Sequence, residues 1–257
     1  MKFKLTLLCF SLSILLSFGC SENSEYDIQD EETEIVNESE ETEKEETGEG
    51  TNNETSNGNT LKILSLGDSY TIGQSVCETC RFPEQLKESL KRRVESTSNI
   101  QLNIIARTGW TTSNLKNAIV TQNPANDQDL VTLLIGVNNE YQNRPFSIYE
   151  TEFPQLVNTA IQKAKGDKNK VIVISIPDYA YTPFGKGNSA ISQRLDRYND
   201  FARDYCSNNN ISYVFITDIT RQGLNRPELV ASDGLHPSAL AYTKFVERIL
   251  PVALGKL

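Results

Sequence analysis

Five short apolar runs, each separated from the next by a helical pattern, constrain this chain more than any other feature. The runs are Leu61–Leu66, Ile100–Ala106, Leu130–Ile135, Val171–Ile176 and Ile211–Ile216. "LVTLLI" and "VIVISI" carry apolar residues at consecutive positions, so both faces of those strands must be buried. Between the runs, residues 83–94 place Leu86, Leu90 and Val94 four apart, the spacing of one helix face, with Pro83 in a first turn that tolerates it. Residues 112–120, 148–163 (interrupted near Pro154), 191–206 and 238–252 read as further helices. β-α alternation with doubly buried strands predicts an α/β fold, a mostly parallel five-stranded sheet with helices on both faces. Ligands of such sheets sit beyond the carboxyl ends of the strands.

The segments ahead of the first strand have a different composition. Lys2 and Lys4 precede an uncharged apolar stretch, Leu5 to Phe18, shorter than the roughly 20 residues of a membrane-spanning helix. This is the pattern of a secretory signal, residues 1–19. Its end, "LLSFGC", resembles a bacterial lipobox, with Ser17 where leucine is usual. The resemblance implies cleavage before Cys20, lipidation of that cysteine and anchoring to a membrane; an ordinary signal cleaved nearby is the alternative. Residues 20–59 follow as a tether. Between residues 21 and 50 there are 14 acidic side chains against one lysine, with few apolar residues to bury, so disorder is expected. The net charge of −9 therefore resides in the tether, and the domain at 60–257 is nearly neutral. It lacks the clustered basic footprint of a nucleic-acid-binding surface.

Three loops should converge on one rim: "GDSYTIG" after the first strand, "RTGWTT" after the second and "IGVNNEY" after the third. Ser69 in the first loop is a weak nucleophile until a base takes its proton. The chain has one histidine, His236, in "SDGLHPSALAY". Histidine titrates near neutrality, and Asp233, three residues earlier, is within reach of its Nδ1. Taken singly, a serine after a strand is more often a turn residue, and a histidine before a helix more often structural.

Together, "GDSYTIG", "RTGWTT", "IGVNNEY" and "DGLHP" resemble, in order, the four blocks of the SGNH, or GDSL-like, hydrolases. The resemblance implies a flavodoxin-like three-layer α/β/α fold and serine esterase chemistry without a cofactor. It implies Ser69 as nucleophile, His236 as base and Asp233 as the acid that orients it. The backbone N–H groups of Ser69 and Gly109 and the side-chain amide of Asn138 would form the oxyanion hole. Two positions depart from the family pattern: Asn139 where aspartate is common, and Tyr70 where leucine is frequent. Asp68 is expected to shape the turn and not to take part in catalysis.

Tyr70, Trp110, Tyr141 and Tyr179, with Tyr181 and Phe184 of the long loop "PDYAYTPFGKGNS", are expected to face substrate or to pack beneath the loop. Of the five cysteines, Cys77 and Cys80 form a C-x-x-C that reads as a disulfide in an exported protein, with a redox motif as the alternative. Cys206 reads as a buried free thiol. A zinc site would lack ligands, and no metal is expected. These features together point to a lipid-anchored esterase of the cell envelope acting on a small-molecule or glycan ester. A lysophospholipase, a thioesterase and a catalytically idle glycan-binding lipoprotein are the alternatives.

Overall fold

The computed structural model describes residues 59–94 and 97–257. The expected signal, Cys20 and most of the tether lie outside them.

The five strands are β1 (Asn59–Gly67), β2 (Thr97–Ala106), β3 (Leu130–Leu134), β4 (Val171–Ile174) and β5 (Ser212–Val214). They form one sheet in the order β2-β1-β3-β4-β5, and every pairing is parallel. β3 and β4 are buried at every position, as their unbroken apolar runs require. The register matters for function. Gly67 at the end of β1 sits opposite Ala106 of β2 and Leu134 of β3, so three strands end level and their loops open onto one rim.

The helices are α1 (Ser69–Ile72), α2 (Phe82–Lys91), α3 (Thr112–Gln122), α4 (Val137–Tyr141), α5 (Phe146–Lys163), α6 (Ser189–Asn209), α7 (Thr217–Thr220) and α8 (Ala239–Leu254). α2 packs on α8, and α5 packs on α3 and α6, giving the helical layers on either side of the sheet. Local chemistry sets several of the boundaries. Thr111 and Asn114 form a reciprocal capping box at the start of α3, and the Ser238 hydroxyl accepts the Ala241 N–H at the start of α8. Asn210 closes α6 in the left-handed conformation that asparagine tolerates.

One expectation about the helices fails. α5 is not interrupted at Pro154 but runs through it. Proline removes the bond to the carbonyl of Glu150, an exposed residue. Against that loss, Tyr149, Phe153, Leu156, Val157 and Ala160 are all buried on the other side of the helix. Tyr149 stacks on Phe153 at 5.1 Å and meets Tyr198 of α6 at 4.6 Å, so packing outweighs the local defect.

Candidate active site

β1 delivers its last residue, Gly67, into a turn whose next residue, Asp68, caps α1: Oδ1 accepts the Tyr70 N–H at 3.0 Å. Asp68 is fully buried, and its Oδ2 has no hydrogen-bond partner among the described residues. Burial pushes its carboxyl up to about 7, against the pull of the Tyr70 N–H. Its contacts are those of a residue that shapes the turn. Ser69 follows as the first residue of α1 and is 4% exposed.

His236 lies on the loop before α8, and its ring is oriented from two sides. Asp233 Oδ2 is 2.6 Å from Nδ1, and the Tyr70 ring meets the imidazole edge-on with centroids 5.8 Å apart. Asp233 is itself held by four donors. Oδ1 accepts the backbone N–H groups of Leu235 (2.9 Å) and His236 (3.0 Å), and Oδ2 accepts the Ser75 hydroxyl at 2.6 Å as well as facing His236. Partial burial works to raise the Asp233 pKa, but the bonds from Ser75, His236 and Leu235 outweigh it and hold the carboxyl far below the usual range. An aspartate fixed as an anion at Nδ1 leaves the other ring nitrogen as the one that can accept a proton.

Ser69 and His236 line one cleft of about 170 Å³ together with Tyr70, Gly109, Asn138, Tyr141 and Tyr179. Gly109 has φ +82°, and a Cβ built there would touch nothing within 4 Å; the glycine is required by its backbone angle, not by crowding. The N–H groups of Ser69 and Gly109 donate to no other group among the described residues. Asn138 gives one amide hydrogen to the Trp110 carbonyl at 3.1 Å, which fixes the amide plane and leaves a second hydrogen uncommitted.

Trp110 is not among the residues that line the cleft. Its ring is half-buried against the core, because the capping box at Thr111 turns the chain into α3 immediately after it. Trp110 contributes its carbonyl instead. Tyr70 lines the cleft but is 3% exposed, forming a wall beside Ser69. Tyr141 is half exposed at the mouth, in edge contact with Tyr179 (6.0 Å) and near Phe184 (6.1 Å). Tyr181 is half-buried against the core.

Several supporting residues escaped the sequence reading. Ser75 has φ +67° on the loop after α1, a backbone no pattern would flag. The same loop carries Cys77 and Cys80, which are joined as a disulfide. Cys206 is buried and unpaired, and burial pushes its thiol up to about 12. Glu140, 3% exposed, accepts the Tyr179 hydroxyl at 2.7 Å and Arg194 Nε at 2.6 Å, tying the long loop to α4. Asn139 joins the loop of Asn138 to the loop that carries Gly109: Oδ1 accepts the Thr112 N–H at 2.9 Å, and Nδ2 donates to the Thr112 hydroxyl at 2.8 Å. No group of three or more His, Cys, Asp or Glu side chains among the described residues is arranged to hold a metal ion. None of the described helices is long and apolar enough to cross a membrane.

A buried serine after the first parallel strand, sharing a cleft with an aspartate-bound histidine, marks a hydrolase of the α/β/α class. The profile of the GDSL-like lipase/acylhydrolase family matches residues 65–244, and the chain belongs to that family. It is therefore a serine hydrolase acting on ester bonds. Solved structures agree on the fold. A member of the lipolytic G-D-S-L family from Veillonella parvula superposes with a TM-score of 0.58 at 18% identity, covering 75% of this chain and 97% of that one. A lipase/acylhydrolase from Enterococcus faecalis gives 0.59 at 19%, covering 77% and 97%. A variant of an acetyl xylan esterase from Geobacillus stearothermophilus gives 0.59 at 18%, covering 77% and 96%. No curated protein sequence matches the chain.

Proposed function

We propose that the chain is an exported, lipid-anchored esterase that removes a short acyl group, such as acetyl, from a carbohydrate through a Ser69–His236–Asp233 triad. The observation that carries this reading is the single histidine: it is bound to Asp233 through Nδ1 and lines the same cleft as Ser69. His236 takes the Ser69 proton as Oγ attacks the ester carbonyl. The oxyanion formed is met by the N–H groups of Ser69 and Gly109 and by the Asn138 amide. Collapse expels the alcohol, which leaves with the proton from His236, and the acyl group stays on Ser69. Water, deprotonated by His236, then attacks the acyl-enzyme; the acid is released and Ser69 regains its proton.

A short acyl group is favoured by size. The cleft, at about 170 Å³, is smaller than the roughly 300–1,000 Å³ of pockets that hold larger ligands, and Tyr70 and Tyr179 wall it. A carbohydrate alcohol is favoured by the likeness to the Geobacillus acetyl xylan esterase and by the envelope location implied by residues 1–20. Hydrolysis of p-nitrophenyl acetate by the full chain, beside Ser69→Ala and His236→Ala, tests the mechanism. Collapse of turnover in both variants is expected; equal rates in all three would rule out the pair. Cys20→Ala is expected to release the protein from the membrane fraction, and its retention there would remove the anchor assignment.

A further inference from the structure

Next to the cleft is a second cavity of about 250 Å³, between the end of α4 and the middle of α6. Three guanidinium groups line it, from Arg144, Arg194 and Arg197. Its only carboxylate is Glu140, and both oxygens of that group are already engaged, one by Tyr179 and one by Arg194 Nε. Arg144 and Arg197 make no ion pair among the described residues. The acids nearby on α6 are committed elsewhere, Asp196 to Arg221 and Asp200 to Arg203. The cavity thus gathers three positive charges against one negative charge. Arg197 lies over the Phe146 ring, 3.8 Å from its centroid, which fixes the plane of its guanidinium. The Arg144 backbone N–H bonds the Asn139 carbonyl at 2.8 Å, which holds the turn that carries this side chain.

We infer that this cavity is an anion subsite that takes a carboxylate on the alcohol part of the ester, as in an acylated acidic saccharide. Planar guanidinium forks match a carboxylate with paired N–H donors, which a lysine cluster would not do. The link to the cleft is direct. Glu140 lines this cavity and bonds Tyr179, which lines the cleft, and Asn138 is only two residues from Glu140 on α4. The acyl group fills the small space beside the oxyanion donors. Whatever extends past Tyr141 and Tyr179 toward the arginines therefore belongs to the alcohol. The inference rests on the esterase reading only for the identity of the ligand as a substrate; the charge at the site does not depend on it.

The test compares kcat/KM on a matched pair, an acetylated methyl glucuronoside and the corresponding acetylated methyl glucoside. The proteins are the full chain and its Arg144→Gln/Arg197→Gln variant, both of which carry the acidic residues 21–50. A preference of at least about fivefold for the acidic sugar is expected in the parent. It should fade in about 0.5 M salt, since both side chains are solvent-exposed. The double variant should lose it. The ratio is internal to each protein and insensitive to a general loss of activity. Equal rates on the two sugars, or a preference that the double variant keeps, would overturn the assignment. Binding is read separately by titrating unacetylated methyl glucuronoside and following arginine side-chain N–H resonances. Shifts in the parent that vanish in the double variant support the subsite even if no ester is cleaved; no shift in the parent refutes it even if p-nitrophenyl acetate is hydrolysed.

Discussion

Asn138 offers the sharpest test of the oxyanion assignment, because its two amide hydrogens are expected to do different jobs. One is spent on the Trp110 carbonyl at 3.1 Å, and the other is free to meet the developing oxyanion. In Asn138→Ala the first loss is structural: one side-chain to backbone bond is worth about 1 kcal/mol, or a melting shift of about 2–4 °C for a domain of this size. The second loss is catalytic. Removing one preorganised donor costs about 10²–10³ in kcat. Asn138→Asp separates the two further. It places an anion where the donor stood, within about 4 Å of the oxyanion, and at an effective dielectric near 20 that repulsion adds about 4 kcal/mol, close to three further decades. The assay is kcat and KM on p-nitrophenyl acetate beside thermal melts of all three proteins. The expected pattern is a modest loss of stability in alanine and a larger one in aspartate, whose carboxylate faces the Trp110 carbonyl without a donor, with kcat falling steeply in alanine and further in aspartate at little change in KM. If Asn138→Ala kept kcat within about threefold while melting lower, Asn138 would be a strut for the Trp110 turn and the donor argument would be wrong.

Other positions give independent checks. Ser75→Ala removes the hydroxyl that Asp233 accepts at 2.6 Å, and a drop in kcat of about three- to tenfold with KM unchanged is expected, since three other donors remain. Reducing the Cys77–Cys80 bond on the same loop should lower kcat in the parent and not in Ser75→Ala; identical sensitivity in both would separate the disulfide from the triad. Asp68 has a folded-state pKa near 7 against an ordinary 3.8, so the folded protein holds its proton more tightly. Stability should therefore fall as pH rises from about 4 to 7, by on the order of 4 kcal/mol, and Asp68→Asn should flatten that slope in urea titrations; an unchanged slope would refute the assignment. Gly136→Ala forces a Cβ to 2.7 Å from Tyr149 Cε2 and 2.8 Å from Ile176 Cδ1 at φ +131°, and a loss of about 2–4 kcal/mol by chemical denaturation is expected.

The sheet was legible because its signal is local. Runs such as Leu130–Leu134 and Val171–Ile174 are short, apolar at every position and alternate with helical patterns, which together read as interior parallel strands. Pro154 misled because the residue's own chemistry argues for a break, while the packing that overrides it comes from Tyr198 and Phe201, more than forty positions away. Ser75 and Asp233 are 158 residues apart, so no spacing rule could join them.

Asn139 shows how far such distant contacts can explain a departure from a family pattern. An aspartate there could accept the Thr112 N–H as Asn139 Oδ1 does. It could not donate to the Thr112 hydroxyl, and that hydroxyl already gives its own proton to Glu152 Oε2 at 2.5 Å. Thr112 Oγ1 has one hydrogen, so with that hydrogen on Glu152 a carboxylate at the buried position 139 would set an oxygen against the Thr112 oxygen with no proton between them. Asparagine resolves the conflict by supplying the missing hydrogen at 2.8 Å. The residue that looks irregular beside Asn138 is thus the one that suits a Thr112 hydroxyl already donating to Glu152, on a different helix. The loop carrying the amide donor and the loop carrying Gly109 are joined through that choice.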